Sequence, residues 1–289
     1  MAAGSRERIR WSGVDLDHPN AARVYDYYLG GTANYAVDRA FARKALEKYP
    51  FVRPAALANR MFLRRVVRYL VKRGVRQFID IGSGVPTMDS THQVAGQINA
   101  QTRVVYVDHE PVAVAHSQIL LDRDGDPSRH AVIQSDLRHP GQVWHKAAAT
   151  GVIDPEKPLA LLMIAVLHIT QPGPDGGDLA PAAVAQYREM LSPGSYLAIS
   201  HGTADGVPAD RAQEITAFGE LYDSTPTPMI WRSRAEIEAF FGDLELVEPG
   251  ATWSTLWHPE ENGPAAPTIE FEQPNECGLW GGVAHKPRV

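Results

Sequence analysis

The sequence predicts an α/β protein with a seven-stranded, mostly parallel sheet and extra helices before it. After residue 74, short apolar segments alternate with helical patterns, which is typical of βαβ units. The segment 158–167 is uniformly apolar, which indicates a central strand that is covered on both faces. Gly82 and Gly84 follow the first predicted strand, as in loops that turn sharply and let a ligand approach the backbone.

The N-terminal quarter of the sequence predicts a helical cap. We expect a flexible N-terminus over 1–17, a helical cap or lid over 18–74, and the core over 75–289, with cap and core forming one compact domain. Asn20 is a plausible N-cap of the first helix, and the glycines at 30 and 31 are a plausible stop. The other cap helices are predicted at 38–48 and 54–73.

Basic residues cluster in and after the last cap helix. We interpret this cluster as the solvated face of an amphipathic helix. Its members are Arg53, Arg60, Arg64, Arg65, Arg68, Lys72, Arg73 and Arg76.

The core elements follow in a regular order. A capping-box pattern at Ser90 begins the first core helix, the last two strands are expected to close the sheet antiparallel, and 253–275 is Pro-rich and irregular. Strands are predicted at 77–81, 103–108, 131–134, 158–167, 196–200, 244–247 and 281–285. Helices are predicted at 90–100, 112–122, 140–149, 181–191, 209–222 and 234–241.

The composition is that of an ordinary soluble globular protein and argues against several functions. The 289 residues are 44% hydrophobic and 21% charged. A net charge of −6 argues against a nucleic-acid or acidic-membrane binder, and a single cysteine, Cys277, excludes an internal disulfide or a cysteine zinc cage. No stretch approaches the roughly 20 apolar residues of a membrane span, and the start lacks the apolar core of a signal peptide. We therefore expect a cytoplasmic protein.

Three acids stand at the ends of three successive predicted strands: Asp80, Asp108 and Asp136. In an open parallel sheet, ligands bind outside the carboxyl ends of the strands, where the strand order reverses. A buried Asp80 requires a cation or several donors. Asp108 suits ribose hydroxyls, and Asp136 suits an exocyclic amine such as that of adenine. The pattern describes a pocket for adenosine with a positively charged tail.

A dinucleotide site is the competing interpretation. The NAD fingerprint requires a glycine three residues after Gly84, where this chain has Thr87, and Asp80 would repel a pyrophosphate. S-adenosylmethionine has no phosphate and carries an ammonium and a sulfonium, so the electrostatics favour it. An NAD(P)-dependent reductase stays as the weaker alternative.

These motifs resemble motifs one to three of class I S-adenosylmethionine-dependent methyltransferases. The chain is closer still to an actinobacterial family of S-adenosyl methyltransferases. The resemblance is colinear over about residues 18–249. It rests on the segments 20–31, 34–35, 38–39, 80–87, 91–92, 105–108, 136–138, 165–168, 193–197 and 200–201.

The resemblance implies a Rossmann-like class I methyltransferase fold, S-adenosylmethionine as methyl donor and S-adenosylhomocysteine as product. No His, Asp or Glu pair stands at helical ligand spacing beside the pocket, so we expect no metal. The acceptor is expected to be an oxygen or nitrogen nucleophile of a small molecule, with a role in secondary metabolism. The candidate cofactor-binding residues are Asp80, Gly82, Ser83, Gly84, Asp108, His109, Asp136, Leu137 and Ala165.

The acceptor side is less constrained by the sequence. His168 is expected to end the fourth strand, either as a general base or as a histidine that shapes the pocket wall, and both interpretations stay open. Tyr28, Asn34 and Tyr35 are candidates for a lid on the substrate. His201 ends the fifth strand and is a weaker substrate-side candidate, with a structural role favoured. A catalytically idle S-adenosylmethionine-binding protein and a homodimer also stay open.

Overall fold

The computed structural model describes residues 14–263, 266, 267, 269 and 271–288. Most of the segment 1–17 lies outside these residues. The cap consists of helices α1 (Ala21–Tyr28), α2 (Ala36–Lys48) and α3 (Val52–Lys72). The predicted N-cap of α1 is confirmed, because the Asn20 side chain accepts from the Ala22 N–H at 2.9 Å. Gly30 follows the helix in a left-handed conformation, which is the backbone that a glycine stop provides.

The core continues the alternation of strands and helices. Its strands are β1 (Gln77–Ile81), β2 (Arg103–Asp108), β3 (His130–Gln134), β4 (Ala160–Ile164), β5 (Tyr196–Gly202), β6 (Glu245–Leu246), β7 (Thr252–Trp253) and β8 (Leu279–His285). Its α-helices are α4 (Thr91–Gly96), α5 (Pro111–Asp124), α6 (Pro140–Ala149), α7 (Ala180–Met190), α8 (Ala209–Tyr222) and α9 (Arg234–Glu238). Single 3₁₀ turns cover Ala239–Phe241, Pro259–Asn262 and Pro274–Cys277.

The sheet has the order β3-β2-β1-β4-β5-β8-β6, and the predicted seven-stranded, mostly parallel arrangement is confirmed. The first five strands of this row are parallel, and β8 and β6 close it antiparallel, as expected. The two-residue strand β7, which the sequence did not predict, pairs with β8 beside the row. Strand order reverses between β1 and β4, so a crevice opens at their carboxyl ends.

Both faces of the sheet are covered, which explains the uniformly apolar β4. Ile79 and Leu161 are paired across β1 and β4 and pack towards α6 and α7. Their strand neighbours Phe78 and Leu162 point to the opposite face, towards α3 and α4. Because successive side chains alternate between faces, a strand covered on both sides must be apolar at every position.

Strand β4 and helix α4 are shorter than the sequence predicted. Strand β4 ends at Ile164 because Ala165 adopts a left-handed backbone with φ +56°, which breaks the extended conformation. Helix α4 has only six residues, and the predicted capping box at Ser90 is wrong. The Ser90 hydroxyl lies 3.4 Å from Nδ1 of His92 and makes no bond to the backbone of the helix.

Three members of the basic cluster are buried on α3, so the interpretation of the cluster as a solvated face is wrong for them. Arg60, Arg64 and Arg65 are each less than a tenth exposed. Nε of Arg65 donates to the carbonyl of Trp257 at 2.7 Å, and Nε of Arg64 donates to the carbonyl of Asn262 at 2.8 Å. Burial lowers the pKa of Arg65 to about 10. These bonds attach the irregular segment after β7 to α3.

The cap is joined to the core through one buried guanidinium. Nε of Arg23 donates to Asp38 at 2.9 Å, and its Nη1 donates to Glu110, just after β2, at 3.3 Å. Its Nη2 donates to the carbonyl of His18 at 2.8 Å. Arg23 and Asp38 are almost completely buried. This arginine therefore links α1, α2 and the turn after β2.

Replacing Arg23 with methionine should strongly destabilise the protein. The change leaves the buried carboxylate of Asp38 without its cation, a loss that typically costs about 3–5 kcal/mol. Urea unfolding followed by circular dichroism measures the effect. Arg43→Met, at an exposed position of α2, is the control and should change stability by less than about 0.5 kcal/mol. Equal stabilities of the two variants would contradict this role of Arg23.

Candidate functional site

A large cavity lies at the carboxyl ends of β1, β2 and β4. Helices α1, α3 and α8 contribute further parts of its wall. It contains about 1610 Å³ of empty space, including its open mouth. Its lining comes from both the core strands and the cap helices, so a ligand bound there would contact both.

The glycine loop after β1 forms one wall of the cavity. Gly82 and Gly84 both have a left-handed backbone, with φ of +66° and +63°. A Cβ at Gly82 would lie 2.3 Å from Cγ2 of Val166, so this position must be glycine for the loop to approach the segment after β4. A Cβ at Gly84 would meet no atom within 4 Å. The loop at Gly84 therefore leaves open space in which a ligand can lie against the backbone.

Asp80 presents a buried carboxylate to this cavity. Its Oδ2 accepts from the hydroxyl of Thr91 at 2.6 Å, and no other hydrogen-bond donor reaches it within the described part of the chain. Burial, with a smaller contribution from the charge of Asp108, raises the pKa of Asp80 to about 6, against the opposing effects of the Thr91 hydrogen bond and the charge of Arg60. A carboxylate has about four acceptor positions, so Asp80 retains capacity for a cationic donor.

Asp108 is held by two backbone N–H groups at the end of β2. Its Oδ2 accepts from Gly84 at 2.8 Å, and its Oδ1 accepts from Glu110 at 2.9 Å. Each oxygen retains a lone pair, and the residue lines the cavity. Ser83 and His109 also line it, and the His109 side chain is largely exposed.

Glu110 and Arg60 line the cavity although sequence reasoning missed both. Burial raises the pKa of Glu110, against the opposing effect of Arg23, and Asn20 donates to its carboxylate at 3.1 Å. Glu110 follows the strand-end acid Asp108 by two residues, a signal that was visible in the sequence. Arg60 had no such signal, because only its position on the helix distinguishes it from the other basic residues of α3.

Asp136 is not among the cavity-lining residues, although it follows β3 as expected. Its carboxylate accepts from Nε of Arg138 at 2.9 and 3.0 Å and from Nη2 at 2.5 Å. Its neighbours Ser135 and Leu137 line the cavity instead. The structure therefore directs the acid expected to contact adenine towards an arginine.

His168 lines the cavity, four residues after the end of β4 rather than within that strand. Its Nδ1 accepts from the backbone N–H of Gly202 at 3.2 Å, so the ring proton of the neutral imidazole is assigned to Nε2. Burial, together with the charge of Arg232, lowers the pKa of His168 to about 4. The side chain therefore offers an N–H donor near neutral pH. This geometry favours the pocket-wall interpretation over the general base.

His201 lies inside β5 and does not line the cavity. Its Nδ1 lies 2.6 Å from the carbonyl of Gly202, and its Nε2 lies 2.7 Å from Nη1 of Arg232. Both ring nitrogens are therefore occupied by protein groups. The structural interpretation of His201 fits this geometry.

Of the three lid candidates, only Tyr28 lines the cavity. The amide of Asn34 donates to Asp26 at 2.7 Å, and the backbone N–H of Tyr35 donates to Asp38 at 2.8 Å. Asn34 and Tyr35 therefore stabilise the connection between α1 and α2. Ala165 was placed beside the cofactor by the sequence, and it does line the cavity.

Neither a membrane-spanning helix nor a metal cluster is found over the described ranges. No helix there is both long and apolar enough to cross a membrane. No group of three or more His, Cys, Asp and Glu side chains converges there as metal ligands would.

The chain is similar to proteins of one family over nearly its whole length. A family model described as S-adenosyl methyltransferase matches residues 8–287. A solved structure from Thermobifida fusca, described as a candidate methyltransferase, is 34% identical, with 96% of this chain and 98% of that chain covered and a TM-score of 0.81. A solved structure of a DUF574 family protein from Streptomyces avermitilis is also 34% identical. The match covers 94% of this chain and 99% of that chain, with a TM-score of 0.82.

More distant structures share the fold alone. The plantazolicin methyltransferase BamL, solved in complex with a triazolic desmethylPZN analogue and SAH, is 10% identical to this chain. The match covers 93% of this chain and 96% of the BamL chain, with a TM-score of 0.52. No curated protein matches the chain closely enough for comparison.

Asp80→Asn should stabilise the protein at neutral pH. Burial raises the pKa of Asp80 from its ordinary 3.8 to about 6. Above this pKa, ionised Asp80 destabilises the fold by up to about 3 kcal/mol. Below pH 3.8 that penalty is absent, because the carboxyl is protonated in both states. Urea unfolding at about pH 7.5 should show the gain, which should shrink towards about pH 4.

Asp126→Asn is a control for which the expected change in stability at neutral pH has the opposite sign. Hydrogen bonds from Ser128, followed by those from Arg129, lower the pKa of Asp126. Its contribution to stability is therefore present at neutral pH and lost in acid, so this variant should be less stable than wild type at about pH 7.5. A loss of stability in Asp80→Asn that does not vary with pH would contradict the penalty assigned to Asp80.

The tautomer of His168 can be tested without an acceptor. Nitrogen-15 NMR of histidine-labelled protein should show a neutral ring with the proton on Nε2 at pH 7, titrating near pH 4, because burial lowers the pKa of His168 to about 4. His168→Gln assigns the resonance. A proton on Nδ1 at pH 7, or a midpoint near the ordinary histidine value of about 6.5, would restore the general-base interpretation.

Proposed function

The chain belongs to the S-adenosyl methyltransferase family, and from that premise we propose its reaction. It transfers a methyl group from S-adenosylmethionine to an oxygen or nitrogen nucleophile of a small-molecule acceptor. The observation that carries the proposal is the pair of buried carboxylates, Asp80 and Asp108, on either side of a glycine loop that faces a cavity. A cofactor with a cationic amino-acid tail and a ribose matches both acids.

The residues around Asp80 fit the methionine part of the cofactor. Asp80 has one hydrogen-bond donor in the described chain and would accept from the ammonium group. Arg60 donates through Nε to the carbonyl of Met88 at 2.6 Å, and its terminal nitrogens have no acceptor among the described residues. Arg60 would bind the carboxylate of the cofactor's methionine part, while Asp80 would bind its ammonium group. The two side chains together would match this zwitterion.

The residues around Asp108 fit the nucleoside part. Its two oxygens would accept from the ribose hydroxyls, while the Gly84 and Glu110 N–H groups hold the side chain in place. Ser135 and Leu137, which line the cavity after β3, would contact adenine in place of Asp136. Ala165 and Val166 line the cavity after β4, beside the same crevice.

S-adenosylmethionine, when bound, supplies an electrophilic methyl carbon on a positively charged sulfur. The chain contributes position and desolvation, which together can supply much of the acceleration of such a displacement. His168 would hold the acceptor through its Nε2–H, and the proton released by the acceptor would leave through the open mouth to water. A side chain acting as a base is not required.

Two other functions remain as alternatives. A catalytically idle protein would bind the same cofactor, and it differs only in the absence of turnover with any acceptor. An NAD(P)-dependent reductase would place a pyrophosphate against the glycine loop, where the buried carboxylate of Asp80 would repel it. The electrostatics of the loop favour the sulfonium cofactor.

Calorimetric titration tests the cofactor. S-adenosylhomocysteine should bind the wild-type protein, while NAD should not, because Asp80 repels phosphate. Asp108→Asn should weaken S-adenosylhomocysteine binding by about tenfold or more, since a charge-assisted hydrogen bond contributes about 1.5–3 kcal/mol. Asp126→Asn, on the turn between α5 and β3, is the matched control and should leave the affinity unchanged. Absent binding, or equal binding by Asp108→Asn, would refute the proposal.

A further inference from the structure

The cavity is charged at one end and neutral at the other. Of the residues that line it in the described chain, four are Asp, Glu, Arg or Lys: Asp80, Asp108, Glu110 and Arg60. They belong to β1, to β2 and the residues just after it, and to α3, so they lie on the side already assigned to the cofactor. The opposite side, which we call the acceptor lobe, is formed by Tyr28, Phe51, Phe218, Tyr222, Met229 and Trp231.

Aromatic rings from α8 and from the residue before α3 pack edge to face along one wall of the lobe. The ring centroids of Phe51 and Phe218 lie 6.2 Å apart at 72°, and those of Phe218 and Tyr222 lie 5.3 Å apart at 68°. Because edge-to-face packing fixes each ring against its neighbour, this wall is rigid. Rigid aromatic walls favour flat, aromatic ligands over flexible aliphatic ones.

Trp231 is fixed by two glycines on neighbouring elements. A Cβ at Gly219 of α8 would lie 2.4 Å from Nε1 of the indole, and a Cβ at Gly202 of β5 would lie 2.4 Å from its Cζ3. Neither glycine has the left-handed backbone that would require glycine for conformational reasons. The absence of a side chain at these two positions therefore lets the indole lie close to the backbone. A large ring is held in the lobe by the backbone itself.

A pair of buried tyrosine hydroxyls is one polar feature of the lobe. The hydroxyls of Tyr28 and Tyr222 lie 3.2 Å apart, and both residues are almost completely buried. Burial raises the pKa of both phenols, so both remain protonated. Two hydroxyls carry two protons, and one is used within the pair. The other has no acceptor among the described residues and is available to a ligand oxygen.

Resting on the proposed function, we propose that the acceptor is a neutral, flat aromatic compound with an oxygen that accepts from the Tyr28–Tyr222 pair. A charged acceptor would lose its hydration in a lobe without a counter-charge. In the transfer, the acceptor heteroatom forms a bond to the methyl carbon as the carbon–sulfur bond breaks. The electron pair stays on sulfur, and the proton of the acceptor passes to water.

Three probes of similar size test the proposed chemical class of the acceptor. Isothermal titration of the full chain, saturated with S-adenosylhomocysteine, compares 2-naphthol, anionic 2-naphthoate and saturated decahydro-2-naphthol. We expect 2-naphthol to bind at least about tenfold more tightly than the other two, because it alone is both neutral and aromatic.

The role of the tyrosine pair requires a double variant. In either single variant, the remaining hydroxyl keeps a proton that it can donate to the ligand. Tyr28→Phe/Tyr222→Phe removes both donors and should weaken 2-naphthol binding about fivefold, as expected for one lost hydrogen bond. Tyr69→Phe is the matched control, since Tyr69 is buried on α3 outside the cavity, and its affinity should be unchanged.

The outcomes separate this inference from the proposed function. Failure of the wild-type protein to bind S-adenosylhomocysteine would refute the proposed function and the inference that rests on it. Normal S-adenosylhomocysteine binding with no preference for 2-naphthol, or with no probe bound, would overturn the aromatic class alone. An unchanged affinity in the double variant would overturn the role of the tyrosine pair.

Discussion

The buried carboxylate of Asp80 is the constraint on which the site depends. A strand buried on both faces places this acid where water is scarce, and its pKa is raised accordingly. Thr91 of α4 and Arg60 of α3 moderate the penalty without removing it. The fold thus tolerates a destabilising charge at the ligand-facing end of β1. Such a conflict between stability and local chemistry is typical of a binding site.

The cap is held to this site by buried charges. The hydroxyl of Thr87, in the glycine loop, donates to Asp26 of α1 at 2.6 Å. A Cβ at Gly31 would lie 1.8 Å from the same carboxylate, so the glycine makes room for it. Arg23 connects α1 to α2 and to Glu110. Asp26 and Arg23 therefore attach the cap to the core, and Tyr25 and Tyr28 of the cap line the cavity.

The cavity joins two environments that bind different chemistry. Its charged end lies at the carboxyl ends of β1 and β2, where strand-end acids and backbone N–H groups converge. Its neutral end lies between α1, α8 and the residue before α3, which bring aromatic rings and no formal charge. A polar, zwitterionic molecule and an uncharged one can therefore lie side by side. His168, whose N–H is assigned to Nε2, lines the same cavity.

The sequence by itself determined the alternation of strands and helices along the chain, the glycine loop, and the acids Asp80 and Asp108, because period, turn chemistry and strand-end position are local properties. Only the tertiary structure decided which way polar side chains turn. Asp136 meets Arg138 beside it, and Arg65 bonds to Trp257, 192 residues away. The proton of His168 is placed by Gly202. Such partners depend on side-chain direction and distant packing, which no local pattern records.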